Sequence, residues 1–153
     1  MHNARRSAAF WIIVVFLAVS IVLMLAGQTM AVFNYDLAVR LGLQESLQQV
    51  GDFGVRVNRA FGASDNIVYV PLMIVSLIGL FMKKRWSLLT TAAFAGVSAY
   101  WTSTIGSMLL FLPGAPGYSF APGLEIWLFV GVYFVFGVWA LIYLAFRGND
   151  LIR

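Results

Sequence analysis

The chain contains no cysteine, and its single histidine is His2. The lack of cysteine excludes a disulfide, a thiolate nucleophile and an iron–sulfur cluster formed by this chain alone. Without a second histidine, a tetrahedral zinc site or a haem held only by this chain is not expected. The sequence therefore predicts no metal and no cofactor.

Charged residues are also scarce. They make up 10% of the 153 residues, whereas apolar residues make up 61%. A soluble domain is usually about 25% charged and about 45–50% apolar. This composition excludes a water-soluble globule, and it excludes a disordered chain, which would be rich in charge and poor in aromatic residues. The net charge of +4 is distributed in short clusters beside apolar runs, so we expect membrane lipid and not nucleic acid as a partner.

Four continuous apolar runs predict the fold. They cover approximately residues 7–32, 66–82, 87–112 and 124–146. A helix needs roughly 20 apolar residues to cross a bilayer, and the runs lack the alternation of a membrane β-barrel. The expected fold is all-α, a polytopic membrane protein with four transmembrane helices in a bundle. Residues 1–153 form a single membrane domain in this interpretation.

The basic residues predict the orientation of the four spans. Seven of the ten fall at the termini or between the second and third spans, namely Arg5, Arg6, Lys83, Lys84, Arg85, Arg147 and Arg153. The positive-inside rule then places both termini in the cytoplasm, and we expect the membrane to be a bacterial inner (plasma) membrane. The first span is longer than the apolar core of a secretory signal, so we interpret it as a retained anchor.

Residues 33–65 form the predicted external segment between the first two spans. Apolar residues recur there at helical spacing, at Leu43, Leu47, Val50, Val57 and Phe61. The pattern predicts an amphipathic helix, interrupted near residues 51–54, where two glycines stand. The segment either covers the bundle as a fixed cap or opens as a lid for a ligand, and the pattern does not distinguish these two hypotheses.

The third span is unusually polar for a membrane helix. Tyr100, Trp101, Thr104 and Ser107 are its candidate ligand-binding residues, although hydroxyls in membrane helices also serve as contacts between helices. Small residues recur every four positions in the same span, at Ala95, Ala99, Ser103 and Ser107. This stripe predicts close helix packing, either within the chain or between copies in a homo-oligomer.

Two carboxylates are expected at the outer ends of spans. Asp65 and Glu125 stand at the predicted starts of the second and fourth helices, where the helix dipole alone favours a negative charge. Arg56 and Arg59 are nearby cations on the external segment, and arginine can hold a carboxylate at two points. We therefore predict that Arg56 or Arg59 pairs with Asp65 or Glu125 and closes the outer end of the bundle.

No catalytic motif was found in the sequence, and no charged residue is expected at the middle of a span. Proton-coupled transporters usually need such a residue, so coupled transport is disfavoured. The leading hypothesis is a non-catalytic accessory subunit or a bundle that binds lipid or another apolar ligand. The alternatives are an oligomeric channel or facilitator lined by the third helix, and a membrane enzyme acting at the outer surface.

Overall fold

The structure is a computed structural model that describes residues 6–152, and this part of the chain is helical and contains no strand. The prediction of an all-α chain is confirmed for these residues. The helices are α1 (Ala8–Phe33), α2 (Tyr35–Arg40), α3 (Leu47–Phe81), α4 (Trp86–Phe111) and α5 (Leu124–Arg147). A 3-10 turn, Gly148–Leu151, follows α5. His2, Arg5 and Arg153 lie outside the described residues.

Three of the helices are long and apolar enough to cross a membrane. These are Ala8–Phe33, Leu47–Phe81 and Leu124–Leu151, the last of which includes the 3-10 turn. Helix α4 is also long, with 26 residues, but its serines and threonines lower its mean hydropathy. Three of the four predicted spans therefore fall in helices that are long and apolar enough to cross a membrane, and the third predicted span falls in the more polar α4.

Helix α3 differs most from the prediction. It covers 35 residues, and the part after Gly51 continues without a break to Phe81. The predicted external segment is not a separate helix before the second span, because its second half continues directly into that span. The chain does break at Gly51, as predicted, where a φ of 67° interrupts the helix. Ser64 and Asp65 keep α-helical backbone angles, so Asp65 lies inside the helix and does not cap its start.

Both described ends of the chain lie at one end of the packed helices, together with the turn between α3 and α4. Arg6 donates a hydrogen bond of 3.1 Å to the carbonyl oxygen of Phe81, and its guanidinium lies 4.1 Å from the centre of the Phe10 ring. At the other chain end, Gly148 lies beside Leu88 of α4. We call this the basic end, because it carries the described basic residues Arg6, Lys83, Lys84, Arg85 and Arg147. The opposite end is called the distal end.

The core combines stacked aromatic rings with hydroxyl pairs. Phe16 of α1 stacks on Phe136 of α5 with ring centres 3.6 Å apart. The Ser20 and Tyr133 hydroxyls are 2.8 Å apart and link α1 to α5. The Tyr69 and Ser98 hydroxyls are 2.6 Å apart and link α3 to α4. Hydroxyl contacts between helices therefore exist, as the sequence suggested, and on α4 they use Ser98.

Candidate functional site

The four predicted ligand-binding residues on α4 do not all line the same cavity. Tyr100 is 75% exposed on the outside of the bundle. Thr104 donates to the carbonyl oxygen of Tyr100, and Ser107 donates to the carbonyl oxygen of Ser103, so both hydroxyls are satisfied within their own helix. Trp101, in contrast, faces inward and borders a cavity. The polar residues of α4 thus belong to two different faces, because neighbouring positions on a helix point in different directions.

The small-residue stripe of α4 divides in the same way. Ala95 is buried and Ala99 is half-buried, and both lie against Gly137 of α5, where a Cβ atom would be 3.1 Å from the Ala99 Cβ. Ser103 and Ser107 are exposed. The predicted close packing is therefore found in one half of the stripe, and it occurs within the chain.

A cavity of about 310 Å³ lies at the distal end, between α1, α3, α4 and α5. Its walls are mostly apolar and include Met24, Phe61, Trp101, Ile105 and Phe129. We call it the Trp101 cavity. Its size falls at the lower end of the range of small-molecule sites, which are typically apolar with a few polar groups.

A second cavity, of about 550 Å³, lies next to it between α3, α4 and the loop that follows α4. Phe53, Val57, Met108 and Tyr118 contribute to its walls. We call it the Tyr118 cavity. Three residues border both cavities, namely Glu45, Asn58 and Ile105. The two cavities together form a distal cleft with a polar group at their common wall.

Glu45 is held at this wall by hydrogen bonds. The Asn58 side-chain amide donates to Glu45 Oε2 at 2.8 Å. The Tyr35 hydroxyl donates to the Glu45 backbone carbonyl at 2.9 Å, and the Asn58 amide also donates to the Tyr35 oxygen at 3.1 Å. No lysine or arginine forms an ion pair with Glu45 within residues 6–152. The result is a fixed, half-buried carboxylate without a cationic partner in the described chain.

This carboxylate affects two tyrosines of the cleft. Burial raises the pKa of Tyr35, and the negative charge of Glu45 raises it further, although the hydrogen bond from Asn58 acts in the opposite direction. Burial also raises the pKa of Tyr118, and Glu45 again adds to the effect. Both phenols therefore stay protonated at neutral pH. The Tyr35 hydroxyl donates its hydrogen to the Glu45 carbonyl, so the Tyr118 hydroxyl is the one available as a donor to a ligand.

The loop after α4 closes the far side of the cleft. Residues 113–123 fold back onto the start of α3, where the Ser119 backbone N–H donates to the Gln49 carbonyl at 2.7 Å. The Ser119 hydroxyl donates to the Gln48 carbonyl at 3.1 Å. Gly117 has a φ of 78°, and its carbonyl lies 3.2 Å from where a Cβ atom of Gly51 would stand. The distal cleft is therefore bordered by helices on one side and by this loop on the other.

The predicted arginine clamp is not formed. Arg56 pairs with Asp52 on its own helix at 2.7 Å, and both side chains are exposed. Arg59 donates to the backbone carbonyl of Val32 at 3.0 Å. No ion pair joins either arginine to Asp65 or Glu125 in the part of the chain that the structure describes. The physical reason is that the arginines project from the side of a continuous α3 and do not fold over its end.

The two carboxylates of the predicted clamp are also far from equivalent. Glu125 lies in the first turn of α5, as predicted, with its carboxylate beside Gly123. Asp65 is only 7% exposed, and its Oδ2 atom has no hydrogen-bond partner. A buried acceptor without a donor is costly in a folded protein. Helix capping therefore does not account for the buried position of the Asp65 carboxylate.

Asp65 belongs to a contact between two π-helical turns, Leu25–Thr29 in α1 and Asp65–Tyr69 in α3. The Thr29 hydroxyl donates to Asn66 Oδ1 at 2.6 Å, and the Asn66 amide donates to the Gly62 carbonyl at 2.7 Å. Gly62 allows the close approach, because a Cβ atom there would be 2.8 Å from the Gln28 carbonyl oxygen. Single π turns inside α-helices are rare and occur often at functional sites.

Sequence reasoning did not find Glu45, Asn58 or Gln28. Glu45 falls on the polar face of the predicted amphipathic helix, where charged side chains are ordinary, and nothing in the sequence singled out Asn58. A glutamine near the end of an apolar span was the only signal for Gln28. No protein-family model, curated protein or solved structure matches this chain.

Proposed function

We propose that this protein is an integral membrane protein of the bacterial inner membrane, with four transmembrane helices and both termini in the cytoplasm. Three sufficiently long apolar helices support this, as does the grouping of basic residues at one end of the bundle. Helix α4 would be the fourth span, because it packs between α3 and α5 and its polar hydroxyls are bonded within the helix or to a neighbour. In this orientation the distal cleft lies toward the outer surface.

We further propose that the protein binds a lipid or another amphipathic ligand in the distal cleft without catalysing a reaction, either on its own or as an accessory subunit of a larger complex. One observation carries this proposal. Glu45, held by Asn58, forms the common wall of two apolar cavities and lacks a cationic partner in the described chain. Such a group orients the head of a ligand whose apolar parts fill the cavities.

The chemistry of the cleft defines the kind of ligand. The Glu45 carboxylate accepts hydrogen bonds, so the head of the ligand should present a hydroxyl or an ammonium group. The phenol of Tyr118 supplies a donor nearby, for an oxygen such as an ester carbonyl or a phosphate oxygen. Met108, Phe53 and Ile105 provide apolar surface for an acyl chain or a ring. A membrane phospholipid or acylglycerol combines these features.

Native mass spectrometry of the protein purified in mild detergent tests this function. The wild-type protein should retain a bound lipid, and Ile105→Trp should lose it, because Ile105 borders both cavities and a larger side chain fills their common space. Leu110→Trp is the matched control, since Leu110 is exposed on the same helix. Glu45→Gln should weaken retention and change the head-group preference. Equal lipid retention by all four proteins would contradict the proposal.

The exposed face of α4 supports a second candidate, an oligomer that uses this face. Tyr100, Ser103, Ser107 and Phe111 all lie on the outside of the single chain, and small residues permit close helix approach. A channel or facilitator lined by α4 would require such an assembly. The same native mass spectra report the number of copies, and Ser103→Leu should reduce that number if the face is an interface.

A further inference from the structure

Asp65 is the one charged residue that is buried in the described part of the chain. It lies inside α3, more than ten residues from either end of that helix, and its Oδ2 atom has no hydrogen-bond partner. Water normally compensates the charge of a carboxylate, and a fully ionised, unpaired carboxylate in such a place is energetically unfavourable. Ionisable residues inside membrane helices are expensive to bury and usually have a function.

A second buried oxygen without a partner lies in the facing π turn of α1. This atom is Gln28 Oε1, and it lies 3.3 Å from the position that a Gly62 Cβ atom would occupy. Asp65 follows Gly62 by three residues, so both positions lie on the same face of α3, where side chains three apart have Cβ atoms about 5–6 Å from each other. Two acceptors without donors therefore lie along the same contact between α1 and α3.

We propose that Asp65 and Gln28 together hold one monovalent cation, a sodium ion or a proton, between the two π turns. The shared chemistry is a single positive charge bound by buried oxygen atoms. A monovalent cation neutralises one carboxylate, whereas a divalent cation would leave a buried positive charge. Oxygen atoms from a carboxylate and an amide are suitable ligands for a hard cation, and a protonated carboxyl group donates equally well to an amide oxygen.

No cationic side chain of the described residues pairs with Asp65, so its negative charge must be neutralised by an external cation. Helices α1 and α4 carry no charged residue, and those of α5, Glu125 and Arg147, are near its two ends. The neighbouring titratable groups are phenols: Tyr69 on α3 is bonded to Ser98, and Tyr133 on α5 is bonded to Ser20. No arginine or lysine forms an ion pair with Asp65 among residues 6–152. Gln28 also borders the Trp101 cavity, whereas Asp65 lines neither cavity of the distal cleft. Asp65→Asn therefore tests the cation site, and Glu45→Gln tests the proposed ligand site.

Thermal unfolding in detergent tests the cation site with two series of conditions. In the first, sodium replaces choline at pH 8.5 and constant ionic strength. In the second, the pH is lowered from 8.5 to 5.5 in choline chloride without sodium. A sodium site predicts that the Tm rises by roughly 3–5 °C for each tenfold increase in sodium above half-saturation. A proton site predicts that the Tm rises in the second series and not in the first.

Variants assign the response to Asp65. In either case Asp65→Asn should lose the response, because the amide is already neutral. Asp52→Asn should keep it, since Asp52 is exposed and paired with Arg56. Gln28→Leu removes the second oxygen and should weaken the response, which provides a test even if Asp65→Asn does not fold. A wild-type Tm that changes in neither series would overturn the proposal, as would an unchanged response in Asp65→Asn or in Gln28→Leu.

Discussion

Gly137 of α5 lies against the backbone of Ala99 in α4, with no room for a side chain. A Cβ atom at Gly137 would be 2.9 Å from the Ala99 nitrogen and 2.8 Å from the Ala95 carbonyl oxygen. Both neighbours are backbone atoms and cannot move by rotating a side chain. The contact explains why small residues of α4 are placed here, since they allow two long helices to approach closely.

Replacing Gly137 with alanine should therefore destabilise the protein. The added methyl group forces α4 and α5 apart, and overpacking of this kind typically costs about 1–3 kcal/mol. The measurement is the Tm of the purified protein in detergent. Gly131→Ala is the control on the same helix, because a Cβ atom at Gly131 would meet nothing within 4 Å. An equal effect of the two substitutions would mean that the helices are not in contact at Gly137.

The tyrosines of the distal cleft predict a loss of stability at alkaline pH. Burial and the charge of Glu45 raise the pKa of Tyr118 above the value of 10.0 for a free phenol. Above pH 10 the unfolded chain loses this proton before the folded chain does, so the free energy of unfolding falls as the pH rises. Tyr118→Phe should reduce this dependence between pH 9 and 11, measured by unfolding at each pH.

The proposed orientation predicts which sites react with a membrane-impermeant thiol reagent. The native chain has no cysteine, so single cysteines can be introduced without background labelling. Gln48→Cys and Ser119→Cys lie together at the distal end and should be labelled from outside intact cells. Lys84→Cys lies at the basic end and should be labelled only after the membrane is permeabilised. Labelling of Lys84→Cys in sealed cells would refute cytoplasmic termini.

The sequence predicts the helical class and the grouping of ends well, because both depend on properties that add up over many residues. A prediction from a long apolar run, or from a cluster of arginine and lysine, does not depend on any single residue. The predicted helix start at Ser64 and Asp65 was wrong for the opposite reason, because it depended on two single residues. Ser64 and Asp65 are good capping residues, and local propensity favours a helix start there. In the structure the helix continues through both residues. The next residue, Asn66, accepts a hydrogen bond from the Thr29 hydroxyl across the α1–α3 contact.

The candidate site was harder to predict than the fold. Trp101 was chosen for its position in the middle of a polar helix, and it does border a cavity. Tyr100 and Ser107 were chosen for the same reason and lie elsewhere, since a sequence does not show which face of a uniformly mixed helix is buried. Glu45 and Asn58 are thirteen residues apart and meet only because the chain turns between α2 and α3. Contacts of this kind depend on tertiary structure and not on local spacing.

The two facing π turns also constrain the length of the chain. A π turn contains one residue more than the α-helical turn it replaces, so every residue beyond it is rotated by about 100° relative to an uninterrupted helix. In α1 this extra residue separates the half that presents Ser20 to α5 from the half that brings Gln28 to Gly62. Deleting a single residue within 25–27 would turn Gln28 and Thr29 away from α3, even though every side chain of the contact remained in the sequence.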